Sequence, residues 1–95
     1  MDQSLLQPEI LEPSTQNARW MVLIYNNPFN TMDEVIEILM RATGCDMDEA
    51  YIEMWEAHTF GKASVHFAAK LDCEDAATVI RTVGVKAEVV PEWTD

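Results

Sequence analysis

The chain has 95 residues, 48% of them hydrophobic, and a formal net charge of −11 at pH 7. This length allows one small domain with a single core, and the apolar content is sufficient to pack it, which argues against general disorder. An acidic chain repels phosphates and anionic lipid headgroups, so we expect neither nucleic acid nor membrane among its partners.

The acidic residues are concentrated in the middle of the chain. Residues 33–56 carry eight acids against Arg41 alone, whereas residues 57–95 carry six acids and four bases. This distribution suits a basic protein partner or a cationic ligand. It is also typical of solvated helix faces that keep a small domain soluble, and the charge alone leaves both interpretations open.

Residues 1–18 hold two prolines among polar residues and show no periodicity, so we predict a flexible tail before a folded domain at 19–95. Cys45 and Cys73 lie far apart in sequence, and no signal peptide opens the chain. We therefore expect reduced thiols in a cytoplasmic protein. The Cys and His residues have no recurring ligand spacing, and we expect no metal and no other cofactor.

A continuous apolar run, Trp20–Tyr25, predicts a buried first strand. Residues 26–30 (Asn-Asn-Pro-Phe-Asn) follow, and we call them the asparagine loop. Pro28 disfavours helical angles at the residue before it, which separates the strand from the helix that follows. Clustered asparagines are typical of a well-formed turn, and loop amides beside a helix N-terminus can also hold a small polar group.

Two helices are predicted next. Thr31 begins a T-x-x-E capping box for a helix that starts at Met32 and ends at Gly44. Asp46 begins a second box, for a helix that ends at Gly61. The apolar stripe of this second helix consists of Met47, Ala50, Met54, Ala57 and His58, with Tyr51 and Trp55 beside it.

The remaining strands show the alternation of half-buried segments. Residues 63–68 predict a second strand, with Val65 and Phe67 sharing one face. Residues 85–90 alternate apolar against charged residues and predict a strand with one wet face.

Asp72 with Asp75 predicts the start of a third helix, which Gly84 closes. Its apolar stripe consists of Cys73, Ala76, Ala77, Ile80 and Val83. The resulting order is β-α-α-β-α-β. We therefore predict an α/β (α+β) two-layer sandwich in which a three-stranded sheet packs against three helices.

No nucleophile elbow, phosphate-binding loop or zinc-protease motif is present, so we expect no catalytic residue and no enzyme activity. His58 is the most informative polar residue. It lies on an apolar stripe, where a histidine is commonly packed and satisfied within the core. Alternatively it lines the mouth of an apolar pocket, where a neutral imidazole nitrogen can accept a hydrogen bond from an ammonium group.

Two blocks of sequence carry a resemblance to a known family. Residues 23–35 read LIYNNPFNTM-x-x-V, and residues 50–63 read A-x-x-x-M-x-x-A-H-x-x-G-K-A. Together they resemble the ClpS adaptor family, in the variant with an Asn-x-Pro-x-Asn loop. The resemblance implies an adaptor that binds the free N-terminal Leu, Phe, Tyr or Trp of N-degron proteins. It delivers them to the N-domain of a Clp AAA+ ATPase (ClpA or ClpC) for degradation by ClpP.

The resemblance also implies a role for particular residues. The substrate's α-amino group is expected to bind Asn26, Asn27 and His58. The hydrophobic pocket for its side chain is expected to consist of Asn30, Met32, Val35, Met54, Ala57 and Val85, with Met32 as the gate against β-branched residues.

The chain departs from the family pattern at four positions. Asn27 replaces an aspartate and so removes a charge that would pair with the amine, which predicts weaker binding than in relatives with Asp. Ala57 replaces a larger aliphatic residue, which should widen the pocket towards Phe, Tyr or Trp. Leu71 and Ala76 fall near the Glu and Lys with which many relatives contact the ATPase.

Two alternatives to the N-degron adaptor stay open. One is a paralogue that docks on the Clp ATPase and modulates its substrate choice without binding N-terminal residues. The other is an acidic protein-interaction domain. In each case we expect a monomer, because the sequence has no conspicuous apolar patch.

Overall fold

The computed structural model describes residues 19–93, so the predicted tail at 1–18 lies outside the described residues. The elements are β1 (Trp20–Tyr25), α1 (Met32–Thr43), α2 (Met47–Phe60), β2 (Lys62–Ala68), α3 (Lys70–Arg81) and β3 (Ala87–Pro91). The predicted β-α-α-β-α-β order is confirmed. None of the helices within 19–93 is long and apolar enough to cross a membrane.

The sheet is antiparallel with the strand order β2-β1-β3, so β1 is its central strand. Ile24 pairs with Ala63 of β2 on one side and with Ala87 of β3 on the other. Val22 and Ile24 are fully buried, as expected for inward-facing residues of a central strand.

Helices α2 and α3 pack on this sheet, α1 packs against both of them, and together they enclose one core. Its largest fully buried side chains are Ile24, Leu39, Ile80, Val22, Val65 and Cys73. Each buried aliphatic side chain contributes about 1.5–3 kcal/mol relative to exposure in water. Large side chains from α1, α3, β1 and β2 thus meet in the core, and β3 adds the small side chain of Ala87.

The predicted helix boundaries at α1 and α2 are confirmed by their caps. Thr31 and Glu34 form both halves of the capping box, and Gly44 ends α1 in the left-handed conformation with φ 77°. Asp46 caps α2 by accepting a hydrogen bond from the Glu49 amide, and Gly61 ends that helix with φ 93°.

The face assignment in β2 is wrong, because the strand contains a bulge. Met21 pairs with Phe67, but the next residue of β1, Val22, pairs with Val65. His66 is the extra residue and has φ 52°. This insertion shifts the alternation by one residue, so Val65 is buried whereas Phe67 is 44% exposed.

The predicted stripe of α2 is wrong at Met47, which is 62% exposed, and at His58, which is also exposed, and it omitted Glu53, which is 8% exposed. The helix packs against both α1 and β2, so its buried face extends past the purely apolar positions.

Three predicted boundaries are wrong in the last third of the chain, the two ends of α3 and the start of β3. Helix α3 begins at Lys70, two residues before Asp72, and its N-cap Ala69 makes no side-chain cap bond. Val83 lies beyond the helix and is 36% exposed. Strand β3 begins at Ala87, although the Lys86 carbonyl already accepts a hydrogen bond from the Tyr25 amide at 3.1 Å.

Candidate functional site

A cavity of about 330 Å³ opens between the asparagine loop, the start of α1 and the C-terminal half of α2. Its lining residues are Ile24, Tyr25, Asn26, Asn27, Pro28, Asn30, Thr31, Met32, Val35, Met54, Ala57, His58 and Val85. Every residue predicted for the amine site and for the hydrophobic pocket is among them. We call this cavity the loop pocket.

The asparagine loop is held in shape by the side chain of Asn27. Its Oδ1 accepts hydrogen bonds from the amides of Phe29 and Asn30, both at 2.8 Å. Its Nδ2 donates to Oδ1 of Asn30 at 2.9 Å. An asparagine that bonds the backbone of the next residues stabilises a tight turn. Asn27 lines the loop pocket, but both acceptor positions of its amide oxygen are already used within the loop.

Asn30 ties the loop to a distant part of the chain. Its Nδ2 donates to the Val83 carbonyl at 2.8 Å and to the Glu34 carboxylate at 3.3 Å. Val83 belongs to the turn between α3 and β3. This bond positions that turn beside the loop, and Val85 two residues later forms part of the pocket wall.

A second connection brings the loop to the end of α2. The Asn26 amide donates to the carbonyl of Gly61, the residue that caps α2, at 3.0 Å. His58 lies in the last turn of this helix. Residues that are 32 positions apart in sequence thus meet at one rim, because the strand-to-helix loop and the helix C-terminus share a backbone hydrogen bond.

The rim of the loop pocket is polar and open to solvent. Asn26 and His58 are both exposed, and within residues 19–93 neither side chain has a hydrogen-bond partner. Of the two alternatives for His58, the structure favours the pocket mouth over a packed core position. The C-terminal end of a helix carries a partial negative charge, so the site at the end of α2 favours a cationic group.

The wall of the pocket is apolar. Met54, Ala57 and Val85 are at most 4% exposed and face the cavity from α2 and from the segment before β3. Val35 adds a half-buried side chain from α1, and Met32 at the start of that helix is 51% exposed at the mouth. Ala57 contributes only a methyl group, which leaves room in the middle of the wall.

Four further lining residues were not predicted: Ile24, Tyr25, Pro28 and Thr31. All four border the predicted residues along the chain, so the same segment contained them. The sequence indicated the structural role of Asn27 only weakly, because the Asn-x-Pro-x-Asn spacing alone suggested a local hydrogen-bonded turn.

A family model described as "ATP-dependent Clp protease adaptor protein ClpS" matches residues 15–88. The chain belongs to the ClpS family. The resemblance drawn from the two sequence blocks is thereby confirmed. The family is one of adaptor proteins of the Clp protease.

Several relatives have the same description. The chain is 32% identical over 74 residues to the chloroplastic Clp protease adapter protein CLPS1 of Arabidopsis thaliana, covering 77% of this chain and 46% of that protein. It is 27% identical over 79 residues to ClpS of Corynebacterium aurimucosum, covering 83% of this chain and 71% of that protein. This chain therefore spans less than half the length of the chloroplast relative.

The fold also matches a solved structure of Agrobacterium tumefaciens ClpS2 bound to L-phenylalaninamide. The two chains are 21% identical, with a TM-score of 0.73, covering 79% of this chain and 98% of the other. At this identity the match supports the three-stranded, three-helix architecture.

Proposed function

We propose that this protein is an N-degron adaptor, which binds a free N-terminal Leu, Phe, Tyr or Trp in the loop pocket and delivers its substrate to a Clp ATPase for degradation by ClpP. The observation that carries the proposal is the composition of the loop pocket. An apolar wall ends at a rim with two exposed polar side chains, Asn26 and His58.

The rim suits an α-amino group. An ammonium has three N–H donors and needs acceptors when it approaches an apolar surface. The Asn26 carbonyl oxygen and a neutral His58 nitrogen supply two acceptors, and the C-terminal end of α2 adds its partial negative charge. A blocked or internal amide nitrogen offers one donor and no charge, so it matches this rim poorly.

The wall suits a large apolar side chain. A cavity of about 330 Å³ lies within the range of about 300–1,000 Å³ typical of small-ligand sites. Burying a Leu or Phe side chain there contributes about 1.5–3 kcal/mol, and a smaller side chain contributes less. Ala57 leaves space that favours an aromatic residue.

The ligand named for the solved relative combines a free amine with a large apolar side chain. L-phenylalaninamide carries a free α-amino group and a benzyl side chain, as the start of a Phe-initiated protein does. It was bound by Agrobacterium tumefaciens ClpS2, whose fold resembles that of this chain with a TM-score of 0.73.

Delivery requires a surface for the ATPase. Of the two departures noted in α3, Leu71 is 69% exposed and Ala76 is 2% exposed. A partner can therefore contact Leu71 but not Ala76. We infer that the ATPase contact in this chain uses apolar area at Leu71, where relatives are expected to have a charged group.

The direct test is a titration of labelled peptides that begin with Phe, Leu, Val or acetyl-Phe. We expect binding of the free Phe and Leu starts, little binding of Val, and none of acetyl-Phe. His58→Ala should weaken binding of the Phe-initiated peptide. Thr59→Ala, at the same exposed helix end, is the matched control. Equal binding of free and acetylated Phe peptides would eliminate the amine site.

The second candidate is an adaptor that docks on the Clp ATPase without binding N-terminal residues. The observation that favours it is Asn27, which is uncharged and whose oxygen is occupied by the loop. This second function predicts that none of the peptides binds, while the chain still co-elutes with a ClpA or ClpC N-domain.

A further inference from the structure

A cluster of side chains that can ligate a metal lies at the junction between α1 and α2. Cys45, Glu49 and Glu53 each place one ligand atom within 4.8 Å of the others. They are spaced four residues apart, so the two glutamates lie one above the other on α2 and the cysteine precedes the helix. None of the three lines the loop pocket.

Glu53 is the unusual member of this cluster. It is 8% exposed, and its Oε1 is buried with no hydrogen-bond partner among the described residues. The ion pairs found within residues 19–93 do not include it. A buried carboxylate is costly unless it is paired or coordinates a metal. The charged groups that act on Glu53 are Glu49 and Glu56, both acidic, so neither compensates its charge.

The backbone around the cluster is well defined. The amide of Cys45 donates to the Thr43 hydroxyl at 3.2 Å, and that hydroxyl donates to the Leu39 carbonyl at 2.9 Å. Asp46 then caps α2 through the amide of Glu49 at 2.9 Å. The turn that carries Cys45 and the helical turn that carries Glu49 are therefore fixed before any ligand binds.

We propose that Cys45, Glu49 and Glu53 form a binding site for a divalent transition-metal ion of the Zn²⁺ type. A thiolate with two carboxylates suits a borderline-soft ion such as Zn²⁺, whereas Mg²⁺ and Ca²⁺ prefer oxygen ligands alone. When all three ligands are ionised, the set carries a charge of −3, which favours a dication.

The geometry needs only a small adjustment. In a tetrahedral zinc site, sulfur and oxygen ligands lie about 3.6 Å apart. Ligand atoms that are at most 4.8 Å apart must close by about 1 Å, a change that rotation of the half-buried Cys45 and the exposed Glu49 side chains can make. Three protein ligands leave the fourth position to water. Metal binding releases the protons of the Cys45 thiol and of the Glu53 carboxyl to solvent.

The test uses Co²⁺ as the probe on the full, chelator-treated chain. We expect one Co²⁺ per chain, a thiolate-to-cobalt charge-transfer band, and loss of the band when Zn²⁺ is added. Cys45→Ser should abolish the band. Glu53→Gln and Glu49→Gln should each weaken Co²⁺ binding by more than about tenfold, a loss that even outer-shell partners can cause.

Glu74→Gln is the control, since this exposed residue lies on α3 outside the cluster and is not among the groups that act on Glu53, and it should bind Co²⁺ as the wild type does. Glu49→Gln alters an exposed side chain, so its result does not depend on the tolerance of the core. No band at saturating Co²⁺, or a band that survives Cys45→Ser, would overturn the proposal.

Discussion

Nδ2 of Asn27 donates a hydrogen bond to Oδ1 of Asn30 at 2.9 Å, at the edge of the loop pocket. Because the other end of the Asn30 amide bonds the Val83 carbonyl at 2.8 Å, this contact links the asparagine loop to the turn before β3. The side chain at position 27 thus affects two properties, the charge at the rim and the shape of the loop.

Asn27→Asp is expected to tighten binding of a Phe-initiated peptide and to lower the stability of the fold. The attraction between a carboxylate and an ammonium about 4 Å apart contributes about 1 kcal/mol to binding in water-like surroundings, which is roughly a fivefold change in Kd. The loss of the bond to Asn30 costs about 1 kcal/mol of unfolding free energy. Fluorescence anisotropy at low and high salt and urea unfolding measure the two effects.

Asn27→Ala is the control, because it removes the loop bonds without adding charge and should weaken both binding and folding. Weaker peptide binding by Asn27→Asp at low salt would contradict the assigned position of the amine.

Ala57→Leu is expected to shift the preference of the pocket from aromatic to aliphatic N-terminal residues. The larger side chain occupies space in the middle of the apolar wall, where Ala57 is 4% exposed. A methylene that no longer fits is worth about 1–3 kcal/mol in such a pocket. Phe and Trp peptides should lose affinity by tenfold or more relative to Leu peptides in a competition titration.

Thr59→Leu, on an exposed position of the same helix, should leave the Phe-to-Leu ratio unchanged. An unchanged ratio in Ala57→Leu would mean that the side chain of the ligand does not reach this wall.

The bulge in β2 predicts an unusual response to glycine. His66 has φ 52°, a conformation that costs about 1–2 kcal/mol for residues other than glycine. His66→Gly should therefore maintain or raise the free energy of unfolding in urea, while the β-branched His66→Val should lower it by more than about 1 kcal/mol.

Ser64→Gly provides the comparison in the same strand, where the entropic cost of glycine should lower stability by about 0.5–1 kcal/mol. If His66→Gly and Ser64→Gly lose stability equally, the bulge is not strained.

Glu53 predicts a pH dependence of folding in the chelator-treated chain. Burial raises the pKa of Glu53 from 4.5 to about 8, with a further contribution from the neighbouring Glu49 carboxylate. Between these values the unfolded chain has released a proton that the folded chain retains, so stability falls as the pH rises through this range and levels off above it.

Glu53→Gln keeps the shape of the side chain without the titration. Above pH 8 it should exceed the wild type by about 1–3 kcal/mol in urea unfolding, because only the wild type then holds an ionised carboxylate at this buried position. The difference should shrink towards pH 4.5, and Glu74→Gln, at an exposed position of α3, should not reproduce it. A difference that does not depend on pH would disprove the raised pKa.

The sequence by itself determined the order of the elements and the ends of α1 and α2. These properties depend on local rules. Thr31 and Gly44 mark helix ends through neighbouring backbone groups. The expected site residues came from the resemblance of the two sequence blocks to the ClpS family, and it left out four residues that line the loop pocket.

Only the tertiary structure decided the rest. The bulge at His66, the exposure of Met47 and the burial of Glu53 depend on which elements pack together, and periodicity along one segment contains no such information. Likewise, Asn30 meets the Val83 carbonyl 53 residues away, and only the folded chain brings them to 2.8 Å. Contacts between distant residues are set by packing, which is why the loop geometry and the Cys45 cluster appear only in three dimensions.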